Sequence, residues 1–250
     1  MKKQKIALLL GIALLLLAVP GKSQLLIEGK IKNWNKGEGR LVYQDMITGD
    51  LTDMGSIDEK GGIKIPLSAN FKQEVDLMTK KALENAPQGW SMRKNTVAST
   101  FNCNPDETIM TNGEAEVLGL PELELTDKEG MAENGYLYAS NSQQVAEWLK
   151  SWGMENAGKR YYLRWFFVVE DASVNGECII PTYTGNGDEN YVDFTVVRLE
   201  LKKGWNPIKT EYEELFTNQN GKTYASRTII SRIDETPEDL EWFALGGKDY

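Results

Sequence analysis

Tyr191-Val192-Asp193-Phe194-Thr195-Val196-Val197-Arg198-Leu199-Glu200-Leu201-Lys202 runs into Lys203-Gly204-Trp205-Asn206-Pro207 and then into Ile208-Lys209-Thr210-Glu211-Tyr212-Glu213-Glu214-Leu215. In the first segment Val192, Phe194, Val196 and Leu199 or Leu201 stand against polar or exposed positions, the period-two pattern of a half-buried strand. The middle five residues hold a glycine and a proline, which mark a turn. The stretch reads as a hairpin. It sets the expectation for the chain: all-β, built from short strands separated by turns.

The same pattern extends outward in both directions. Towards the N-terminus, Leu25, Ile27, Gly29 and Ile31 alternate with Leu26, Glu28, Lys30 and Lys32. Further strands are read at Arg40–Ile47, Leu51–Ile57 and Ile63–Leu67, with Asn, Asp and Gly turns between them. Beyond residue 97, strands are read at 114–118, 123–126, 135–139, 160–169, 177–182 and 222–233. Two interruptions have helical spacing. Phe71, Val75, Met78 and Leu83 follow Asn70 as N-cap, and Gln143–Trp152 follows Ser142 and ends at Gly153. The expected architecture is two β-sandwich-like domains with minor helices. The first covers residues 24–87 with its trailing helix, and the second, larger and sandwich- or jelly-roll-like, covers 97–250. The rival arrangement is one domain in which the N-terminal strands complete the second sheet.

Residues 1–23 read as a cleavable signal peptide. Lys2, Lys3 and Lys5 precede a 14-residue apolar run, Ile6–Val19, and small residues Gly21 and Ser23 follow it. That run is shorter than the ~18–20 residues that span a bilayer, so cleavage after Ser23 leaves no transmembrane anchor. The reading implies a secreted or periplasmic protein. Removal takes four lysines and no acid, so the net charge falls from −9 to −13. Such acidity argues against nucleic acid as a partner, which needs a basic footprint.

The chain contains no histidine. Histidine-activated nucleophiles and histidine-based zinc sites are thereby excluded. Acid–base chemistry must rest on carboxylates, as in glycan hydrolases that use two of them about 5–9.5 Å apart. Glu114-Ala115-Glu116, Glu122-x-Glu124 and Glu211-x-Glu213-Glu214 each align two acids, and each reads equally well as a solvated face. The two cysteines, Cys103 and Cys178, meet an oxidising compartment after export and are expected to form a disulfide.

Asn186, Asp188 and Asn190, with Asp193 beyond, alternate oxygen ligands in a loop that could take calcium. The loop lacks the sixth-position glycine and distal glutamate of an EF-hand, and a plain polar turn has the same composition. No other cofactor is indicated. Arg160–Phe167, rich in aromatics, reads as a core strand rather than a base-stacking platform. Trp148 and Trp152 stand four apart, on one face of the expected helix, and Trp205 sits in a turn beside Gly204. These three are the candidate ligand-binding aromatics, with packing into the protein's own core as the alternative.

The stretch from Glu28-Gly29-Lys30-Ile31 to Asp58-Glu59-Lys60-Gly61-Gly62-Ile63-Lys64-Ile65 resembles the small transthyretin-like modules at the N-termini of secreted Bacteroidetes proteins. The Leu199–Asn206 run, Leu-x-Leu-Lys-Lys-Gly-Trp-Asn, is similar to a recurrent feature of secreted two-domain β-rich proteins of that group. The resemblance implies an immunoglobulin-like N-terminal module and no chemistry. The function expected from the sequence is a secreted, non-catalytic binding or surface accessory protein for a glycan or protein partner. The alternatives are a carboxylate-dependent glycan hydrolase and a structural part of a surface assembly.

Overall fold

The computed structural model describes residues 25–104 and 107–246; the signal peptide expectation lies outside them. Fourteen strands and three helices follow in chain order. They are β1 (Leu25–Lys30), β2 (Gly39–Gln44), β3 (Leu51–Ile57), β4 (Gly62–Leu67), α1 (Phe71–Asn85), α2 (Val97–Phe101), β5 (Thr108–Thr111), β6 (Val117–Gly119), β7 (Glu124–Asp127), β8 (Gly135–Ser140), α3 (Gln143–Lys150), β9 (Arg160–Val168), β10 (Ala172–Tyr183), β11 (Asn190–Leu201), β12 (Gly204–Thr217), β13 (Thr223–Arg232) and β14 (Glu241–Gly246). The β-rich class stands. The strands form one mixed, hydrogen-bonded path, β1-β4-β3-β2-β7-β8-β9-β12-β13-β11-β10-β5, with β14 on β8 and β6 on β9. The separate sandwiches expected from the sequence do not appear as separate sheets. The β2–β7 ladder, Gly39–Val42 against Glu124–Asp127, carries the path across the expected joint.

One part of this path returns on itself. β14 pairs β8, β8 adjoins β7, and the ladder runs through β2, β3 and β4 to β1. Ile31, just after β1, then bridges Trp242 of β14, and the Lys32 amide donates to the Trp242 carbonyl at 2.8 Å. Inside this ring of seven strands lies a core of Ile27, Ile31, Leu41, Ile65, Leu125 and Trp242, to which β9 adds Leu163 and Trp165. Trp165 stacks on Trp242, centroids 5.6 Å apart. Gly29 stands on the same side of β1 as Ile27 and Ile31, and the Trp242 indole fills the place of its missing side chain: a Cβ there would lie 2.1 Å from Nε1.

A second core lies under α2, where Val97 and Phe101 cover Val174, Val197, Leu199 and Ile208. Thr96 caps α2 through its side chain, which accepts from the Ser99 amide. The Cys103–Cys178 disulfide ties the segment after α2 to β10.

Two local expectations are corrected. The stretch 191–215 is not a hairpin: β11 and β12 do not pair, and β13 lies between them, parallel to β11 and antiparallel to β12. The physical reason is a corner built by Asn206, which is fully buried. Its Oδ1 accepts from the Lys202 amide at 2.9 Å, and its Nδ2 donates to the Lys202 carbonyl at 2.6 Å and the Gly204 carbonyl at 2.9 Å. Those groups would otherwise begin a ladder. The tight hairpin is instead β12–β13, closed by Asn218–Gly221. At α1, Asn70 makes no side-chain cap; the Ser68 hydroxyl accepts from the Asn70 amide and donates to Glu74.

Candidate functional site

The ladder beside β8 is incomplete. β7 adjoins it only at Glu124 and Tyr136, with the Leu137 amide donating to the Leu123 carbonyl, and β9 joins it only at Ser140 and Tyr162. Between those points β8 and β9 splay apart. The segment 119–123 threads the gap, held where the Leu120 amide donates to the Trp165 carbonyl at 2.8 Å. The gap is a cleft of about 350 Å³. Its floor is apolar, formed by Leu123, Leu137, Leu163, Trp165 and Trp242.

The rim is polar and aromatic. Tyr138 is buried on β8, and its hydroxyl donates to Glu122 Oε1 at 3.2 Å. Burial, reinforced by the Glu122 charge, holds that phenol far above its ordinary value, so it stays a neutral donor. Arg164 projects from the middle of β9, exposed, with its guanidinium 5.5 Å from the Tyr162 ring centroid. Trp152 forms the lip. It is 85% exposed and follows α3 in a left-handed conformation, φ 54°, which a bulky residue adopts only at a cost.

Trp148 and Trp152 therefore part company. α3 ends at Lys150, two residues short of the expected end, because the chain turns there: the Trp152 amide donates to Leu149 and the Gly153 amide to Trp148. Trp148 packs edge-on against Tyr212 at 5.2 Å, and Tyr212 in turn meets Tyr162 at 5.9 Å. Trp205 is not the exposed aromatic of the chain. It is half-buried, tilted against Phe71 with ring centroids 4.6 Å apart, with its indole N–H donating to the Ser68 carbonyl. Ser68, 137 residues away, and Phe71 at the start of α1 cover it.

The loop read as a calcium candidate is closed by its own groups. Asn186 Nδ2 donates to Glu189, Asn190 Nδ2 donates to the Asp188 carbonyl, and Asp193 lies in β11, where it accepts from Thr195. Among the described residues no group of three or more acids or cysteines is arranged to hold a metal. Burial pushes the Asp193 carboxyl up.

Two of the three carboxylate runs are engaged elsewhere. Glu116 meets Lys72 and Lys94, Glu211 meets Lys209, and Glu213 meets Arg227. Glu122-x-Glu124 is the run that reaches the cleft, and burial, then the charge of Glu133, pushes Glu124 up. A larger polar cleft lies around Tyr161 and Asp239, where Asp239 accepts from Tyr161 at 2.6 Å and from Asn141 at 2.8 Å.

Sequence reasoning passed over Arg164 and Tyr138. The signal for Arg164 was present, a cation in the middle of the aromatic run Arg160–Phe167. No family model matches the chain, and no curated protein or solved structure is similar to it.

Proposed function

We propose that the protein is an exported, non-catalytic binding module that takes a compact ligand into the cleft between β8 and β9. The observation that carries this is the pairing of an apolar cavity with an exposed tryptophan at its mouth and a few convergent polar groups at its rim. Such concave, mostly apolar sites with few polar groups are the usual form of a ligand pocket. The volume suits one or two rings rather than an extended glycan chain, so the glycan or protein partner presents a small group to it. Export rests on the composition of residues 1–23 and on the disulfide; intact-mass analysis should find a mature protein beginning at Gln24. Among the described residues no helix is long and apolar enough to cross a membrane.

Titration of the mature protein with compact ring compounds, followed by calorimetry, tests the reading. Trp152→Ala should weaken any ligand about tenfold or more, since aromatic contacts dominate such sites. Unchanged affinity would reject the cleft.

A second reading is favoured by one observation: Glu124, pushed up by burial beside Glu133, stands two residues from Glu122 at the rim. A carboxylate acid–base pair needs one such raised carboxyl beside a second acid. Hydrolysis of any polysaccharide, abolished by Glu124→Gln, would replace the binding reading.

A further inference from the structure

We propose that the cleft reads a carboxylate on its ligand and that Arg164 is the group that holds it; the inference rests on the cleft being the binding site. Arg164 has no carboxylate within ion-pair distance among the described residues, whereas Arg40, Arg227 and Arg232 are paired with Asp53, Glu213 and Asp234 at 2.6, 2.7 and 2.7 Å. Arg93, Arg160 and Arg198 are likewise without an ion pair among the described residues, but of these four arginines Arg164 is the one that lines the apolar cleft. Its guanidinium lies 5.5 Å from the Tyr162 ring centroid, within reach of a cation–π contact. A planar guanidinium fork matches a carboxylate bidentately.

The other charge at the rim does not replace the missing partner. Glu122 is an ion-pair partner of no basic residue among those described, and its Oε1 accepts from Tyr138. Together these features define the ligand chemistry: a carboxylate on a compact apolar body, with the body on the Leu123, Leu137 and Leu163 floor and against Trp152. A free ring-bearing acid and the C-terminal residue of a peptide share that chemistry.

The test is calorimetric titration of the mature protein with 3-phenylpropionate, with N-acetylphenylalanine as a mimic of a peptide C-terminus, and with the neutral amide of each. The acids should bind about tenfold or more tighter than their amides, as a charge-assisted pair requires. Arg164→Gln should abolish that preference by weakening the acids far more than the amides, and Arg164→Lys should restore part of it. Because Arg164 is exposed, both variants should keep the parent urea midpoint. Trp152→Ala should weaken acid and amide alike. Tighter binding of N-acetylphenylalanine would identify a peptide C-terminus, and tighter binding of phenylpropionate a free acid. Equal affinity for acid and amide, or acid binding indifferent to Arg164→Gln, overturns the carboxylate assignment and leaves the cleft standing. No binding of either acid or amide at millimolar concentration overturns both.

Discussion

Replacing Gly29 by alanine probes the closure of the seven-strand ring. Gly29 is not in the left-handed region, so its backbone accommodates alanine, and the loss of unfolded-state freedom alone would stabilise by about 0.4–1 kcal/mol. The structure predicts the opposite sign. The new Cβ would meet Trp242 Nε1 at 2.1 Å and Cδ1 at 2.5 Å. Trp242 is nearly fully buried and stacked on Trp165, so moving it aside disturbs that pair. Overpacking of this kind costs about 1–3 kcal/mol, and disturbing the tryptophan pair adds about 0.5–1.5 kcal/mol. We expect Gly29→Ala to lose about 2–4 kcal/mol in urea unfolding of the mature protein. In a Trp242→Phe background the smaller ring should relieve the clash, so the two changes should couple by about 1 kcal/mol or more. A Gly29→Ala protein within about 0.5 kcal/mol of the parent, or more stable than it, would refute the account of the ring.

The remaining predictions concern other parts of the fold. Replacing both Cys103 and Cys178 by serine frees a loop with a sequence separation of 75, which should lower stability by about 4 kcal/mol in the chain-entropy account; a loss under about 1 kcal/mol in chemical denaturation would contradict it. Asn206→Ala strips the Lys202 amide and the Lys202 and Gly204 carbonyls of their partner and should cost about 3 kcal/mol or more at a fully buried site, readable as a shift in urea midpoint. Asp193 has a folded-state carboxyl pushed up by burial, so its ionisation opposes folding at neutral pH and stops doing so once it is protonated in both states. Asp193→Asn should therefore stabilise at pH 7, and the gain should fade as pH falls through the raised folded value towards the ordinary one near ~3.9; a gain that grows on acidification would reverse the sign of the argument.

Most strands were legible because their alternation is local. Arg160–Val168 and Thr223–Arg232 end within a residue or so of where their apolar pattern ends, and Phe71–Asn85 begins where the period changes. What was not legible is pairing. Nothing local tells Tyr191–Lys202 that its neighbour will be β13 and not β12, since both alternatives bury the same side chains. The buried Asn206 that decides it reads in sequence as an ordinary turn residue. The aromatic assignments divide for the same reason. Trp205 is covered by Phe71 of α1 and by Ser68, 137 residues distant, contacts no local spacing reports. Trp152 stands out of α3 because the chain turns after Lys150, two residues earlier than the apolar spacing implied. The cleft itself arises from an unfinished ladder beside β8, and an absence of pairing leaves no mark in the sequence.

The bridge between Ile31 and Trp242 joins residues near the two ends of the described chain. The order of synthesis then constrains the order of completion. β1 leaves the ribosome first and β14 last, and until β14 arrives both Ile31 and the edge of β8 lack their final neighbour. Contacts of such high sequence separation form slowly, since their loop closure must precede any gain from the contact. This delay makes truncation costly: a chain ending before Trp242 would expose two strand edges at once, the condition that invites edge-to-edge aggregation.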